Sequence, residues 1–90
     1  MTNKQVEELL TATVEKIGPI GVINRALDKI GGAMVKIAEA RKDNADVEVL
    51  LSEAVADIMI EARLLSIIIE DDYLFVSHYS QKLYGLKELE

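Results

Sequence analysis

Apolar positions along this chain recur at three- and four-residue intervals, and no stretch of alternating Val, Ile or Thr competes as a strand. The pattern predicts four helical segments. The first opens at Thr2, with Gln5 at capping-box spacing, and continues through Val6, Leu9, Leu10, Thr13 and Ile17. Gly18-Pro19 should end it, because Gly suits a left-handed C-terminal position and Pro cannot continue a helix. A second helix is expected from about Ile20 to Lys42, with Ala26, Ile30, Ala33, Met34 and Ile37 on one face. "KDNAD" is a polar connector in which Asn44 or Asp46 caps the third helix, expected over about Val47–Glu70. Asp71-Asp72 marks a turn before a last helix from Leu74 to about Leu89. The architecture is a single all-α domain, residues 1–90, a small helical bundle of about four helices.

The third segment is apolar on two sides. At 100° per residue, Val47, Leu51, Ala54, Ala62, Leu65 and Ile69 fall within about 40° of Ile58, which predicts one buried stripe. Val49, Ala56, Ile60 and Ile67 lie opposite, so a second chain is expected to cover them. Glu53, Asp57 and Glu61 follow one seam between these faces. Such a row ordinarily forms a solvated, ion-paired edge. The sharper alternative is a carboxylate-lined cleft holding Mg²⁺ through oxygen ligands.

Composition narrows the partners. Half of the residues are apolar, yet Phe75 is the only Phe and there is no Trp, so the core must be aliphatic. So small a core favours self-association as a dimer or higher oligomer. The net charge of −6 argues against a duplex nucleic-acid partner, which needs clustered Lys and Arg. The most apolar run, Leu64–Ile69, is too short to span a bilayer, and the N-terminus lacks signal-peptide order. Without cysteine there is no disulfide framework or thiolate metal site, and a cytoplasmic protein is the expectation. His78 has no acid at a definable distance and reads as a surface residue. Tyr73, Tyr79 and Tyr84 read mainly as amphipathic packing at a bundle edge.

Several local strings resemble the MazG-like all-α nucleoside triphosphate pyrophosphohydrolases, particularly small phage-type members. In that family one helix carries Glu-Glu-x-x-Glu and the next long helix carries Glu-x-x-Asp, and these carboxylates hold Mg²⁺ against a triphosphate. "ALDKIGGAM" (26–34) stands where the first motif should be and "SEAVADIMI" (52–60) where the second should be. "QKLYGLKEL" (81–89) resembles the family's C-terminal ending, and the likeness covers roughly residues 15 to 90. Carried over position by position, the first three carboxylates are matched by Asp28, Lys29 and Gly32. The ligand Glu of the second motif is matched by Ala54, whereas Asp57 remains and Glu53 precedes it.

The resemblance with three of five carboxylates missing implies a non-catalytic protein acting by binding, through nucleotide sequestration or a protein interaction. A phage-type regulator or counter-defence protein would suit the size. In this reading no cofactor is expected, and Lys29, Gly32, Lys82 and Tyr84 are ligand-cleft candidates. The alternative is weak Mg²⁺-dependent pyrophosphohydrolysis through Asp28, Glu53, Asp57 and Glu61. A structural helical oligomer is the third possibility. Gly31 and Gly32 pose a separate question, since each costs roughly 1 kcal/mol against Ala in mid-helix. Removing side chains there allows close approach of a ligand, another helix or a partner, and simple drift at an abandoned site is the equal alternative.

Overall fold

The computed structural model describes residues 1–89, and within them the chain is all-helical. There are three helices rather than four: α1 (Asn3–Glu39), α2 (Val47–Ile68) and α3 (Asp72–Lys87). The first two expected segments run together, and Gly18 survives as a kink inside α1. Its φ of 74° and ψ of 171° lie in a region open essentially to glycine alone. Pro19 follows directly, disfavouring helical geometry at residue 18 and restarting the helix with its own fixed φ. The chain thus bends without leaving the helix long enough to form a loop.

The caps follow from side-chain chemistry. Thr2 and Gln5 form the reciprocal box, with Gln5 N donating to Thr2 Oγ1 at 3.1 Å and Thr2 N donating to Gln5 Oε1 at 2.8 Å. Asp46 accepts from Val49 N at 3.2 Å, and Asp71 accepts from Leu74 N at 3.0 Å. Asn44 instead takes a positive φ of 63° in the connector, which Asn tolerates better than most residues. The expected ends shift by a few residues: α1 stops at Glu39, α2 at Ile68, and α3 starts at Asp72.

α1 and α2 pack as an antiparallel hairpin, and the residues between them are mostly small. Ala33 and Ala54 are fully buried and Ala26 nearly so, which lets the two backbones approach closely. Larger side chains gather at the other end, where Leu10, Val22 and Leu64 form a cluster flanked by Val6, Val14, Leu65, Ile67 and Ile68. The kink at Gly18 brings both halves of α1 onto this cluster.

The buried face of α2 differs from the predicted one. Ala54, Glu61 and Leu64 are buried, while Asp57, Ile58, Leu65 and Ile68 are half-buried. This face centres on Glu61, rotated about 60° from the stripe centred on Ile58. Val47, Leu51, Ala62 and Ile69, expected inside, are exposed. Small residues fit this face against α1, with Ala54 opposite the Ala26–Ala33 stretch, and the Glu53–Asp57–Glu61 row on it meets Arg25 and Lys36 of α1. On the opposite side Val49, Ala56 and Ile60 are exposed, but Ile67 packs on the chain's own core rather than standing free.

α3 packs against neither α1 nor α2. Tyr73, Leu74, Phe75, Val76, Tyr79, Leu83 and Leu86 are all at least half exposed or nearly so. Phe75 and Tyr79 contact each other, with ring centroids 5.9 Å apart. Among the described residues no helix is long and apolar enough to cross a membrane.

Candidate functional site

The acidic row, expected as an ion-paired edge with a metal-holding cleft as the alternative, lies along the α1–α2 seam. Lys36 Nζ stands 3.4 Å from Glu53 Oε2 and 3.4 Å from Asp57 Oδ2, bridging two successive turns of α2. About one-third of the Lys36 side chain remains exposed. Its partial burial alone would lower the ammonium pKa, but hydrogen bonding and Coulombic attraction to Asp57 and Glu53 outweigh this. The net shift is upward from 10.5. Lys36 is therefore firmly cationic at neutral pH, and it stands where a divalent ion would need those two carboxylates.

Among the described residues Glu61 is the one charged side chain in the core, at 1% exposure. Arg25 Nε lies 2.9 Å from its Oε1. The approach lacks hydrogen-bond alignment, so this buried oxygen is held by proximity of charge rather than by a directed bond. A third cross-helix pair, Arg63 with Glu7, extends the series to the first half of α1. Acidic and basic groups of the same chain thus zip the hairpin from end to end.

The remaining sequence candidates do not converge on this row. Asp28, Lys29 and Gly32 are exposed on α1, and a Cβ added at Gly32 would meet nothing within 4 Å. Ala54, matched by the resemblance to a ligand Glu, is fully buried against α1 and faces a helix contact, not a cleft. Lys82 and Tyr84 lie on α3, apart from Lys29 and Gly32 within one chain. Among the described residues no three His, Cys, Asp or Glu side chains group closely enough to hold a metal ion. Arg25 and Lys36 are the residues that sequence reasoning missed. Their signal was present: eleven positions apart, they recur after about three turns on one side of α1.

A different feature stands out beside the seam. Ile23, Ala26, Leu27, Ile30, Gly31, Met34 and Leu65 line an open apolar groove of about 310 Å³, with no charged residue among them. Gly31 contributes bare backbone to it, and a Cβ built there would meet open space. Of the paired glycines, then, Gly31 shapes the groove and Gly32 faces away from any packing contact.

Compared with known proteins, the chain matches no family model, no curated protein and no solved structure.

Proposed function

We propose that this chain is a non-catalytic, MazG-like helical protein that acts by binding, and that its binding mode is protein association. The observation that carries the non-catalytic half is Lys36 between Glu53 and Asp57. A Mg²⁺–triphosphate complex at these carboxylates would have to displace an ammonium tethered to the same fold. It would also gain no ligand from Lys29, Gly32 or buried Ala54. Mg²⁺ demands near-octahedral oxygen coordination, which two partly engaged carboxylates do not supply.

The exposed apolar surface supports association over nucleotide capture. Val49, Val55, Met59 and Ile60 on α2, Leu27, Met34 and Val35 on α1 and most of α3 face outward. Large apolar side chains left exposed in such number favour a protein partner over a nucleotide. Incubation with nucleoside triphosphates and Mg²⁺ or Mn²⁺ should release no pyrophosphate above a protein-free control. Clear release that disappears in Asp57→Asn would overturn the reading. Light scattering during size exclusion should find a dimer or larger species at micromolar concentration. A monomer there would remove the self-association part.

A further inference from the structure

We infer that α3 is an exchanged arm, and that the α3 of a second copy of this chain seats in the apolar groove between Ile23 and Met34. The inference rests on the associating role proposed above and specifies its geometry.

The first argument is area. The chain exposes 7348 Å². A folded monomer of 10.0 kDa should expose about 5,200 Å². The difference, roughly 2,100 Å² per chain, corresponds to about 4,200 Å² across a symmetric pair, within the range of obligate homodimers. Shape agrees. The radius of gyration is 15.6 Å, against about 12 Å for a compact chain of this length. A surplus of that size is what an interface removes when two copies each cover the other's arm and groove.

The second argument is the match between arm and groove. On α3, Val76, Tyr79, Leu83 and Leu86 repeat at alternating three- and four-residue steps, the spacing of a helix-packing seam, and Phe75 borders it. Neither this stripe nor the groove lining contains a charge. The stripe from Val76 to Leu86 and the groove from Ile23 to Met34 each span about 15 Å along a helix. Gly31 lowers the groove wall so that a ring or a leucine can lie against the α1 backbone. That gives the mid-helix glycine a physical use.

The third argument is the direction in which α3 leaves its own chain. Ile69 and Asp71 both have extended backbone, with φ and ψ of −82° and 116°, and −100° and 92°. The Asp71 side chain caps α3 independently of α2. The connector therefore projects α3 outward as a separate helix. Reciprocal exchange between two copies closes a two-fold assembly, whereas one-way seating would leave an arm and a groove open.

The cysteine-free sequence makes the test direct, because introduced cysteines are the only thiols present. Leu27→Cys in the groove and Leu83→Cys on the arm are prepared separately, one isotopically labelled, then mixed by dilution and reconcentration. Mild oxidation should yield a disulfide between the two variants that neither forms alone, identified by mass. Self-crosslinking of Leu83→Cys in place of the mixed product would mean that arms pair with each other, which overturns the exchange. An intrachain disulfide in the double variant at high dilution would mean that each arm folds onto its own groove, which also overturns it. In both cases the associating role survives if the protein remains oligomeric. A monomer at every concentration would sink both ideas together.

Gly31→Leu supplies an independent readout. Within one chain the new side chain enters open space and replaces a helix-weakening glycine, so helicity should hold or rise. Filling the groove should nonetheless raise the dimer dissociation constant by about tenfold or more. An unchanged constant would show that nothing seats against residue 31 and would overturn the proposed docking.

Discussion

The hairpin of α1 and α2 and the arm α3 are built from similar amphipathic material, yet only the hairpin finds its partner within the chain. The hairpin succeeds through small residues and opposite charges. Ala26, Ala33 and Ala54 let the helices close, and Arg25, Lys36 and Arg63 meet Glu61, Glu53 with Asp57, and Glu7. α3 has neither device facing α1 or α2. Its stripe of Val76, Tyr79, Leu83 and Leu86, bordered by Phe75, is made of large side chains, and such a surface packs better into a concave apolar seat than on a flat alanine face. Close approach thus comes at the expense of buried area, since an alanine seam brings backbones together but removes little apolar surface from water. The unmet burial is carried by the arm and the outer faces.

Variants can break this contrast from either side. The largest expected effect is Ala54→Glu, which forces a carboxylate into the closed seam. It should destabilise the hairpin on the order of 3–5 kcal/mol and abolish cooperative thermal melting. Leu83→Glu, the same chemistry on the arm, should leave helicity nearly intact while light scattering shows loss of the proposed oligomer. If both variants unfold alike, arm and hairpin are one cooperative unit and the distinction fails.

Arg25→Ala is expected to come next. It leaves the Glu61 carboxylate buried without its counter-charge, at a cost of about 2–3 kcal/mol in urea denaturation. Replacing both residues, as in Arg25→Leu with Glu61→Leu, should recover most of that loss, because the penalty belongs to the uncompensated charge. Failure to recover would assign Arg25 a packing role instead.

Gly18→Ala should cost about 1–3 kcal/mol, since the residue holds a backbone conformation that a Cβ strains. Gly21→Ala should also destabilise, because its Cβ would lie 2.9 Å from the Ile17 Cβ. Little change in either melting temperature would mean that the kink straightens in solution.

The smallest effect is the Lys36 bridge, and its signature is the pH dependence. The folded-state pKa is raised above 10.5, so the stabilisation is complete below the unfolded value and is lost as pH rises through the folded one. The stability difference between the parent and Lys36→Gln should therefore persist at about pH 9 and shrink by about pH 12. A difference independent of pH would show that the ammonium charge is not what holds Glu53 and Asp57.

Local chemistry was readable residue by residue. The Thr2–Gln5 box, the helical period, a cap at Asn44 or Asp46 and a disruption at Gly18-Pro19 each depend on neighbours within four positions, although the order left open which of the two residues caps and that the helix resumes after the kink. The polar row Glu53–Asp57–Glu61 was equally legible as a row. Which way it faced was not. An α2 apolar on nearly every side has no unique buried direction until α1 supplies Arg25 and Lys36 at matching heights. With that match in place the inner face lies about 60° from the expected one, Glu61 is buried, and Val47, Leu51, Ala62 and Ile69 stand outside. The isolation of Lys82 and Tyr84 from Lys29 and Gly32 was likewise hidden, because it depends on the path of the chain at Ile69–Asp71. Periodicity specifies that a helix has an apolar face. Only the packed partner, through distance and charge, decides which face that is.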